Sequence, residues 1–115
     1  MRETQRKGDI AVAQAIATFT KINYDVSIPM TESAAYDLII DTGLELKRVQ
    51  VKYCGGLEVD LRNIHSNSKG YVVKKLKEDS FDWLYVYTKD GRQYLITESL
   101  AGRRSIKLSN QHLLI

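Results

Sequence analysis

The chain contains a single cysteine, a single proline and no long apolar run, and each shortage excludes a class of protein or site. Cys54 has no second cysteine as a partner, which excludes an internal disulfide, and His65 and His112 do not stand at zinc-ligand spacing from it. No apolar segment approaches the roughly 20 residues of a membrane helix. The opening stretch Met-Arg-Glu-Thr-Gln-Arg-Lys-Gly-Asp is too charged for the apolar region of a signal peptide. We therefore expect an intracellular, cytoplasmic protein without a membrane partner.

The rest of the composition is that of an ordinary globular domain. Hydrophobic residues make up 43% of the 115 residues and charged residues 27%, a balance that is neither disordered nor fibrous. A chain of this length folds around one core, and no repeat or linker divides it, so we expect one domain over residues 1–115. The net charge of +3 permits an anionic partner without requiring one.

Basic residues are concentrated in one stretch of the chain. Residues 61–77 contain no acidic residue and five basic ones, which are Arg62, Lys69, Lys74, Lys75 and Lys77. A charge run of this kind is most often a solvated face. The alternative is a surface that follows the phosphates of a nucleic acid, for which these residues and Lys7 are the candidates.

Hydrophobic periodicity predicts one helix near the start of the chain, over residues 6–22, where alanines favour helix. One apolar stripe of this helix consists of Ile10, Ala13, Ala17 and Thr20. The adjacent stripe consists of Val12, Ile16 and Phe19. Asn23 follows the last periodic residue and is the expected helix end.

Short β segments follow the helix. The segments read as strands are residues 24–28, ended by Pro29, then 36–41, 44–53, 83–88, 92–97 and 105–108. Residues 57–61 and 71–76 are ambiguous, and residues 97–101 read as one helical turn. Asp90-Gly91 predicts a hairpin turn. The pattern indicates an α/β or α+β fold, in which an N-terminal helix is followed by a mixed, mostly antiparallel central sheet.

Two neighbouring strands carry a group of polar residues that suits chemistry on a phosphodiester. Because side chains alternate along a strand, Gln50 and Lys52 share one face while Val49 and Val51 point into the core. If residues 42–45 form a four-residue loop, Asp37 lies opposite Gln50, and paired Cβ atoms are about 5 Å apart. A two-residue turn would shift this pairing by two.

A carboxylate, an amide oxygen and an ammonium group at one end of a hairpin fit metal-assisted hydrolysis. Mg²⁺, or Mn²⁺ in its place, takes hard oxygen ligands, for which Asp37, Gln50 and the backbone carbonyl of Val51 are the candidates. Lys52 would orient the attacking water or stabilise charge on the phosphate. The alternative is an aspartate that serves as a cap and a Gln-x-Lys pair on a solvated face.

These residues resemble the PD-(D/E)XK endonucleases. The resemblance lies in Tyr-Asp-Leu-Ile-Ile-Asp at residues 36–41 and Arg-Val-Gln-Val-Lys at 48–52, with Lys-Gly-Asp-Ile-Ala at 7–11 and Tyr-Asp-Val-Ser-Ile-Pro at 24–29. It is specific in the first half of the chain and points to the branch that includes some group I intron homing endonucleases, related in fold to archaeal Holliday-junction resolvases. It implies a restriction-endonuclease-like core and magnesium-dependent DNA cleavage by a dimer or higher oligomer. It also implies Asp37 and Gln50 as metal-site residues and Lys52 as the catalytic lysine.

The chain departs from the family pattern at one position. The first helix of this superfamily often carries a glutamate that helps to bind metal, and Val12 stands at the expected place. Asp9, one turn earlier, and Glu32, before Asp37, are the possible additional acids.

Several functions fit this pattern. The first is a DNA endonuclease that acts on branched or duplex DNA, with structure-selective or weakly specific cutting favoured because the chain is short. The alternatives are a site-specific homing-type endonuclease, a catalytically weak nuclease fold that binds DNA, and a small interaction module. Aromatic Trp83, Tyr85 and Tyr87 on one side of a strand, with Leu84 and Val86 on the other, suggest that a second copy covers one face.

Overall fold

A computed structural model describes residues 3–61, 63–67, 70–74 and 80–114, and for residues 63–67 and 70–74 it describes the backbone alone. The helix is α1 (Glu3–Lys21). The described strands are β1 (Asp25–Ser27), β2 (Leu38–Asp41), β3 (Leu46–Cys54), β4 (Glu58–Asp60), β5 (Asn63–Asn67), β6 (Gly70–Lys74), β7 (Trp83–Thr88), β8 (Gln93–Ile96) and β9 (Ser105–Lys107). A 3₁₀ turn, η1 (Asn110–His112), lies near the end of the chain.

Helix α1 buries a narrow face of small residues and one aromatic ring. Its buried residues are Ala11, Ala15, Thr18 and Phe19. The first predicted stripe is wrong, because Ile10 is 45% exposed, whereas the second stripe flanks the core. Alanine side chains allow the helix backbone to lie close to the sheet, which turns Ile10 outward. Asn23 ends the helix with a left-handed φ of 71°, as predicted.

A buried polar cluster ties the helix to the sheet. Thr18 Oγ1 donates to Gln93 Oε1 at 2.5 Å, and the Tyr85 hydroxyl donates to the same oxygen at 2.7 Å. Burial raises the pKa of Tyr85, so this hydroxyl remains a donor at neutral pH. Within the described part of the chain, no helix has the length and apolar character needed to cross a membrane.

The central sheet has five strands in the order β1-β2-β3-β7-β8. The β3–β7 pair at its centre is parallel and the other pairs are antiparallel, so the expected mixed sheet is confirmed. A parallel pair needs a long crossover, and here residues 55–82 supply it. Two smaller pairs, β4–β9 and β5–β6, complete the architecture.

Both faces of the central sheet are covered within one chain. On the first face, α1 packs over Leu38, Ile40, Val49, Val51 and Tyr85. On the second face, the β4–β9 pair and its flanking residues pack over Cys54, Leu84, Val86, Tyr94 and Ile96. The expectation that β7 needs a second copy for coverage is therefore wrong, because the short strands β4 and β9 supply the second layer.

The strand predictions differ from the structure mainly at their ends and in the second half. The predicted helical turn over residues 97–101 is wrong. Leu100 is buried with the residues on the second face of the sheet. Gly102, with φ +77°, then reverses the chain so that β9 reaches β4. The strand β5 was not predicted, because its sequence Asn-Ile-His-Ser-Asn lacks a clear apolar alternation. The hairpin around Asp90-Gly91 is confirmed, and Gly91 has a φ of 86°.

Two glycines test how backbone conformation controls stability. A Cβ added at Gly8, inside α1, or at Gly43, in the β2–β3 loop, meets nothing within 4 Å, but Gly43 has a φ of +92°. We expect Gly8→Ala to raise the free energy of unfolding by about 0.5–1 kcal/mol, since glycine weakens a helix interior. Gly43→Ala should lower it by about 1–2 kcal/mol, because a left-handed conformation strains an L side chain. Urea denaturation measures both, and a loss of stability in Gly8→Ala would contradict the helix argument.

Candidate active site

The loop between β2 and β3 sets the pairing that brings the polar residues together. The Thr42 amide donates to the Glu45 carbonyl at 3.0 Å, and the Gly43 amide donates to Asp41 Oδ1 at 2.9 Å. Asp41 pairs with Leu46, so residues 42–45 form the expected four-residue loop. Leu38 pairs with Val49 as the first pair of this ladder, and Asp37 directly precedes it, with its amide bound to the Val49 carbonyl. The predicted pairing of Asp37 with Gln50 is therefore not part of the ladder.

The backbone and the carboxylate of Asp37 are both bound to β3. The Asp37 amide donates to the Val49 carbonyl at 2.9 Å, and Asp37 Oδ2 accepts a hydrogen bond from the Val51 amide at 2.8 Å. The second carboxylate oxygen makes no hydrogen bond to the part of the chain that the structure describes. The side chain is therefore held in place by one oxygen, and the other can serve a ligand.

The carbonyl of Val51 lies on the same side of β3 as this carboxylate. Peptide groups of alternate residues in a strand point to the same side, and Val49 directs its carbonyl toward Asp37. Strand β2 begins at Leu38, so the Val51 carbonyl lies beyond the first pair of its ladder. A carboxylate oxygen and a peptide oxygen thus border the open end of the β2–β3 hairpin.

Gln50 and Lys52 stand on the sheet face away from α1, as predicted from strand alternation. Both are half-buried. Their partners on β7 are Leu84 and Val86, which are both fully buried. Gln50 and Lys52 therefore lie next to buried apolar side chains, where charge–charge interactions are stronger than in bulk water.

The contact between Arg48 and Asp82 fixes the start of β7, the strand that bears Leu84 and Val86. Arg48 donates to the Asp82 carboxylate from its backbone amide at 2.8 Å, from Nε at 3.2 Å and from Nη2 at 3.3 Å. The Asp82 amide donates back to the Arg48 carbonyl at 2.9 Å. The side-chain hydrogen bond from Arg48 holds the pKa of Asp82 below its ordinary value. The start of β7 is thereby aligned with β3 two residues before Gln50.

The additional acids Asp9 and Glu32 stay a prediction. Asp9 and Glu32 are exposed, and the described residues hold no group of three or more histidine, cysteine, aspartate or glutamate side chains that fits a metal ion. Val12 packs against the cluster under α1, as a core residue does. Asp37, with one oxygen bound to the Val51 amide, is thus the acid that the structure ties to β3 at this place.

The predicted nucleic-acid contacts are described only in part. Lys7 lies on α1 with Nζ 5.6 Å from the centroid of the Tyr53 ring, a cation–π contact at the helix face of the sheet. Lys74 ends β6, and its side chain is not described. The other predicted residues, Arg62, Lys69, Lys75 and Lys77, lie outside the described part of the chain, so the basic stretch stays a prediction.

Comparison with known proteins decides the family. A sequence profile of the PD-(D/E)XK endonucleases matches residues 2–112. The chain belongs to the PD-(D/E)XK endonuclease family. A solved structure, that of the bacterial homing endonuclease I-Ssp6803I, is similar to this PD-(D/E)XK endonuclease with a TM-score of 0.76 and 27% sequence identity. The likeness covers 95% of this chain and 80% of that one, whereas no curated protein gives a significant match.

The Arg48–Asp82 contact is a residue pair that the sequence reasoning missed. The available signal was Asp82, an acidic residue directly before the aromatic strand β7. Strand β3 has basic residues near its start, and one of them could have been expected to pair with it. The pairing is parallel and spans 34 positions in sequence, so strand patterns alone do not reveal it.

Replacing Asp82 gives a test that depends on pH. Because its pKa is lowered in the folded state, the carboxylate contributes stability that is fully present above its ordinary value of 3.8 and is lost as pH falls through the lowered pKa. We expect Asp82→Asn to lower the free energy of unfolding by about 1 kcal/mol at pH 7, the upper end for exposed ion pairs. The difference in the free energy of unfolding between wild type and Asp82→Asn should disappear in acid.

Denaturant titrations of both proteins from pH 7 to pH 2 measure this gap. Asp25→Asn, which neutralises an exposed carboxylate on β1, is the control and should show no such pattern. A gap of constant size down to pH 2 would assign the effect to shape rather than to charge.

Proposed function

We propose that this chain is a divalent-metal-dependent endodeoxyribonuclease, with Asp37, Gln50 and Lys52 as its active residues. The observation that carries the proposal is the hydrogen bond from the Val51 amide to Asp37 Oδ2, since it holds the carboxylate beside the strand that bears the other two residues. A carboxylate that serves only as a cap has no need of a half-buried lysine directly after Val51 on the neighbouring strand. The family match supports phosphodiester cleavage.

The donor set fits Mg²⁺ or Mn²⁺. Asp37 offers a charged oxygen, Gln50 a neutral amide oxygen and Val51 a peptide oxygen, and hard cations of this kind prefer oxygen ligands and retain several waters. When bound, such a cation lowers the pKa of water and offsets charge on the phosphate. With Val12 in the core, the described site supplies a single carboxylate, so we propose a weakly charged metal site.

The side chains of the chain itself perform two further tasks. Lys52 places an ammonium group on the face that carries Gln50, where it orients water or stabilises the extra negative charge that develops on the phosphate. The buried residues Leu84 and Val86 exclude water from one side of both side chains, which strengthens this electrostatic contribution.

The choice of substrate separates two versions of this function. Junction-selective cutting was favoured from the length of the chain. The likeness to I-Ssp6803I over 95% of the chain instead favours the homing-type alternative, that is, cleavage of duplex DNA at a defined site. We propose a homodimer or higher homo-oligomer for this reaction, because two active sites related by a two-fold axis cut two strands at symmetric positions.

Cleavage assays with and without divalent metal test the proposal directly. We expect Lys52→Ala to lower the single-turnover rate about 10²–10³-fold, which is the cost of removing one group that stabilises transition-state charge. Asp37→Asn should abolish metal-dependent cleavage. The substrates are a duplex library, a plasmid and a synthetic four-way junction. Cutting of the junction alone would support the hypothesis of a structure-selective junction resolvase.

The matched control is Lys47→Ala. Lys47 lies on β3 but on the helix face, with Nζ 5.9 Å from the Trp83 ring and 3.2 Å from Glu45 Oε2, so its loss should leave the rate unchanged. Wild-type rates in both Lys52→Ala and Asp37→Asn would place the active site elsewhere.

The role of Gln50 is tested by changing its charge and its donor atom separately. Gln50→Glu keeps the size and adds a negative charge next to Asp37, so it should retain activity and tighten magnesium binding. Gln50→Leu keeps similar bulk without an oxygen and should weaken binding and cleavage. Calorimetric titration with magnesium measures the affinities, and equal affinities for wild type and both variants would remove Gln50 from the site.

A further inference from the structure

A cleft lies at the end of β3 and β7, beyond the residues of the proposed active site. It has a volume of about 670 Å³ and is lined by residues 55–57, 88–90, 92 and 94. Two of the strands that form it meet where Cys54 pairs with Thr88 and the Lys89 amide donates to the Cys54 carbonyl at 3.1 Å. The cleft therefore begins immediately after the strand that carries Gln50 and Lys52.

The strand register relates this cleft to Lys52. Lys52 pairs with Val86 on β7, and Val86 pairs with Tyr94 on β8, so the three form one row across the sheet. Neighbouring strands are about 4.8 Å apart, which puts the Tyr94 position roughly 10 Å from the Lys52 position.

The charge of the cleft favours an anion, and one carboxylate opposes it. Lys89 is exposed and forms no ion pair with the residues that the structure describes. Arg92 is also exposed, with Nε 3.4 Å from Asp90 Oδ2. Asp90 additionally accepts a short hydrogen bond from the Thr88 hydroxyl, which holds the pKa of Asp90 below its ordinary value.

The wall of the cleft formed by Gly55 and Gly56 allows a ligand to come close to the protein backbone. Gly55 and Gly56 are exposed, and a Cβ added to either would meet nothing within 4 Å. Neither needs a left-handed φ, so the backbone conformation does not require glycine there. Two consecutive glycines on an exposed wall leave room for a sugar–phosphate backbone to contact the peptide groups.

We propose that this cleft binds backbone phosphates of the DNA substrate next to the proposed active site, through Lys89, Arg92 and the Gly55-Gly56 backbone. This inference rests on the proposed function, since it adds a phosphate subsite to the same enzyme. Arginine and lysine form charge-assisted hydrogen bonds to phosphate oxygens, and such contacts position DNA without reading its sequence. Asp90 limits the affinity by repelling the phosphates and pairing with Arg92.

The first experiment removes Asp90 and predicts a gain. Asp90→Asn keeps an oxygen that accepts from Thr88, so the turn should be preserved while the repulsion is lost. We expect the Kd for duplex DNA, measured by fluorescence anisotropy without divalent metal, to fall about two- to fivefold, the range expected for one exposed charge pair. Asp25→Asn is the matched control, because Asp25 lies in the edge strand β1, in the row of Leu46 at the opposite end of β3.

The second experiment removes a cation and blocks the cleft. Lys89→Gln should reduce the slope of log Kd against log salt by about 0.9, the value of one lost duplex phosphate contact. The control Lys21→Gln changes an exposed lysine at the C-terminal end of α1. It removes the same charge and should leave the slope nearly unchanged.

Gly56→Gln fills the cleft without a change in charge and should also weaken DNA binding. Thermal melting verifies that this variant is folded.

The outcomes separate this inference from the proposed function. In single-turnover cleavage, the enzyme concentration needed for the half-maximal rate should shift with Kd in the cleft variants and stay at the wild-type value in the controls Asp25→Asn and Lys21→Gln. If the wild type cuts DNA but Asp90→Asn and Lys89→Gln behave as their controls do, the subsite is refuted and the enzyme assignment stands. A wild type that neither binds nor cuts DNA overturns both. Saturable binding of inorganic phosphate without any change in DNA affinity also overturns the subsite.

Discussion

The pairing of β2 with β3 is the constraint on which the candidate site depends. Side chains alternate along a strand with a period of two, so a slip of one residue in this pairing would move Asp37 to the face opposite Gln50. The four-residue loop over residues 42–45 prevents such a slip, with Gly43 in a conformation that other residues adopt only with strain. The backbone amide and the carboxylate of Asp37 are then bound to Val49 and Val51 just before the first pair of this ladder.

The central strand β3 serves the core and the site at once. Its residues Val49 and Val51 are buried under α1, while Gln50 and Lys52 lie at the margin of the second apolar cluster. A polar side chain beside an apolar floor loses part of its hydration, which costs stability. Under the proposed function, the same position would strengthen the interaction of Lys52 with an anionic substrate. The Arg48–Asp82 pair offsets the cost in stability by fixing the adjacent strand.

The departure at Val12 changes the electrostatics of the site more than the fold. A valine there completes the packing between α1 and the sheet. A glutamate would have added a negative charge for a cation, and the exposed Asp9 and Glu32 do not replace it in the described structure.

Local pattern in the sequence determined much of the hairpin and its chemistry. The alternation of Val49 and Val51 with Gln50 and Lys52 fixes which side chains face the core, and turn residues after Asp41 fix the loop. These features depend on neighbours within a few positions, where strand geometry leaves few choices. The family resemblance rested on the same short segments, and the profile match over residues 2–112 confirms it.

The tertiary structure alone decided the features that join distant segments. Periodicity offered several faces for α1, and packing selected Ala11 and Ala15 over Ile10 because small side chains allow a close approach to the sheet. The apolar character of both sides of β7 did not reveal what covers them. Helix α1 covers one side and the distant β4–β9 pair covers the other, within the same chain. The Arg48–Asp82 contact and the cleft beyond Cys54 likewise arise from the parallel β3–β7 pairing. A parallel pair joins segments across a long crossover, and its register is set by packing of the whole domain rather than by any local turn.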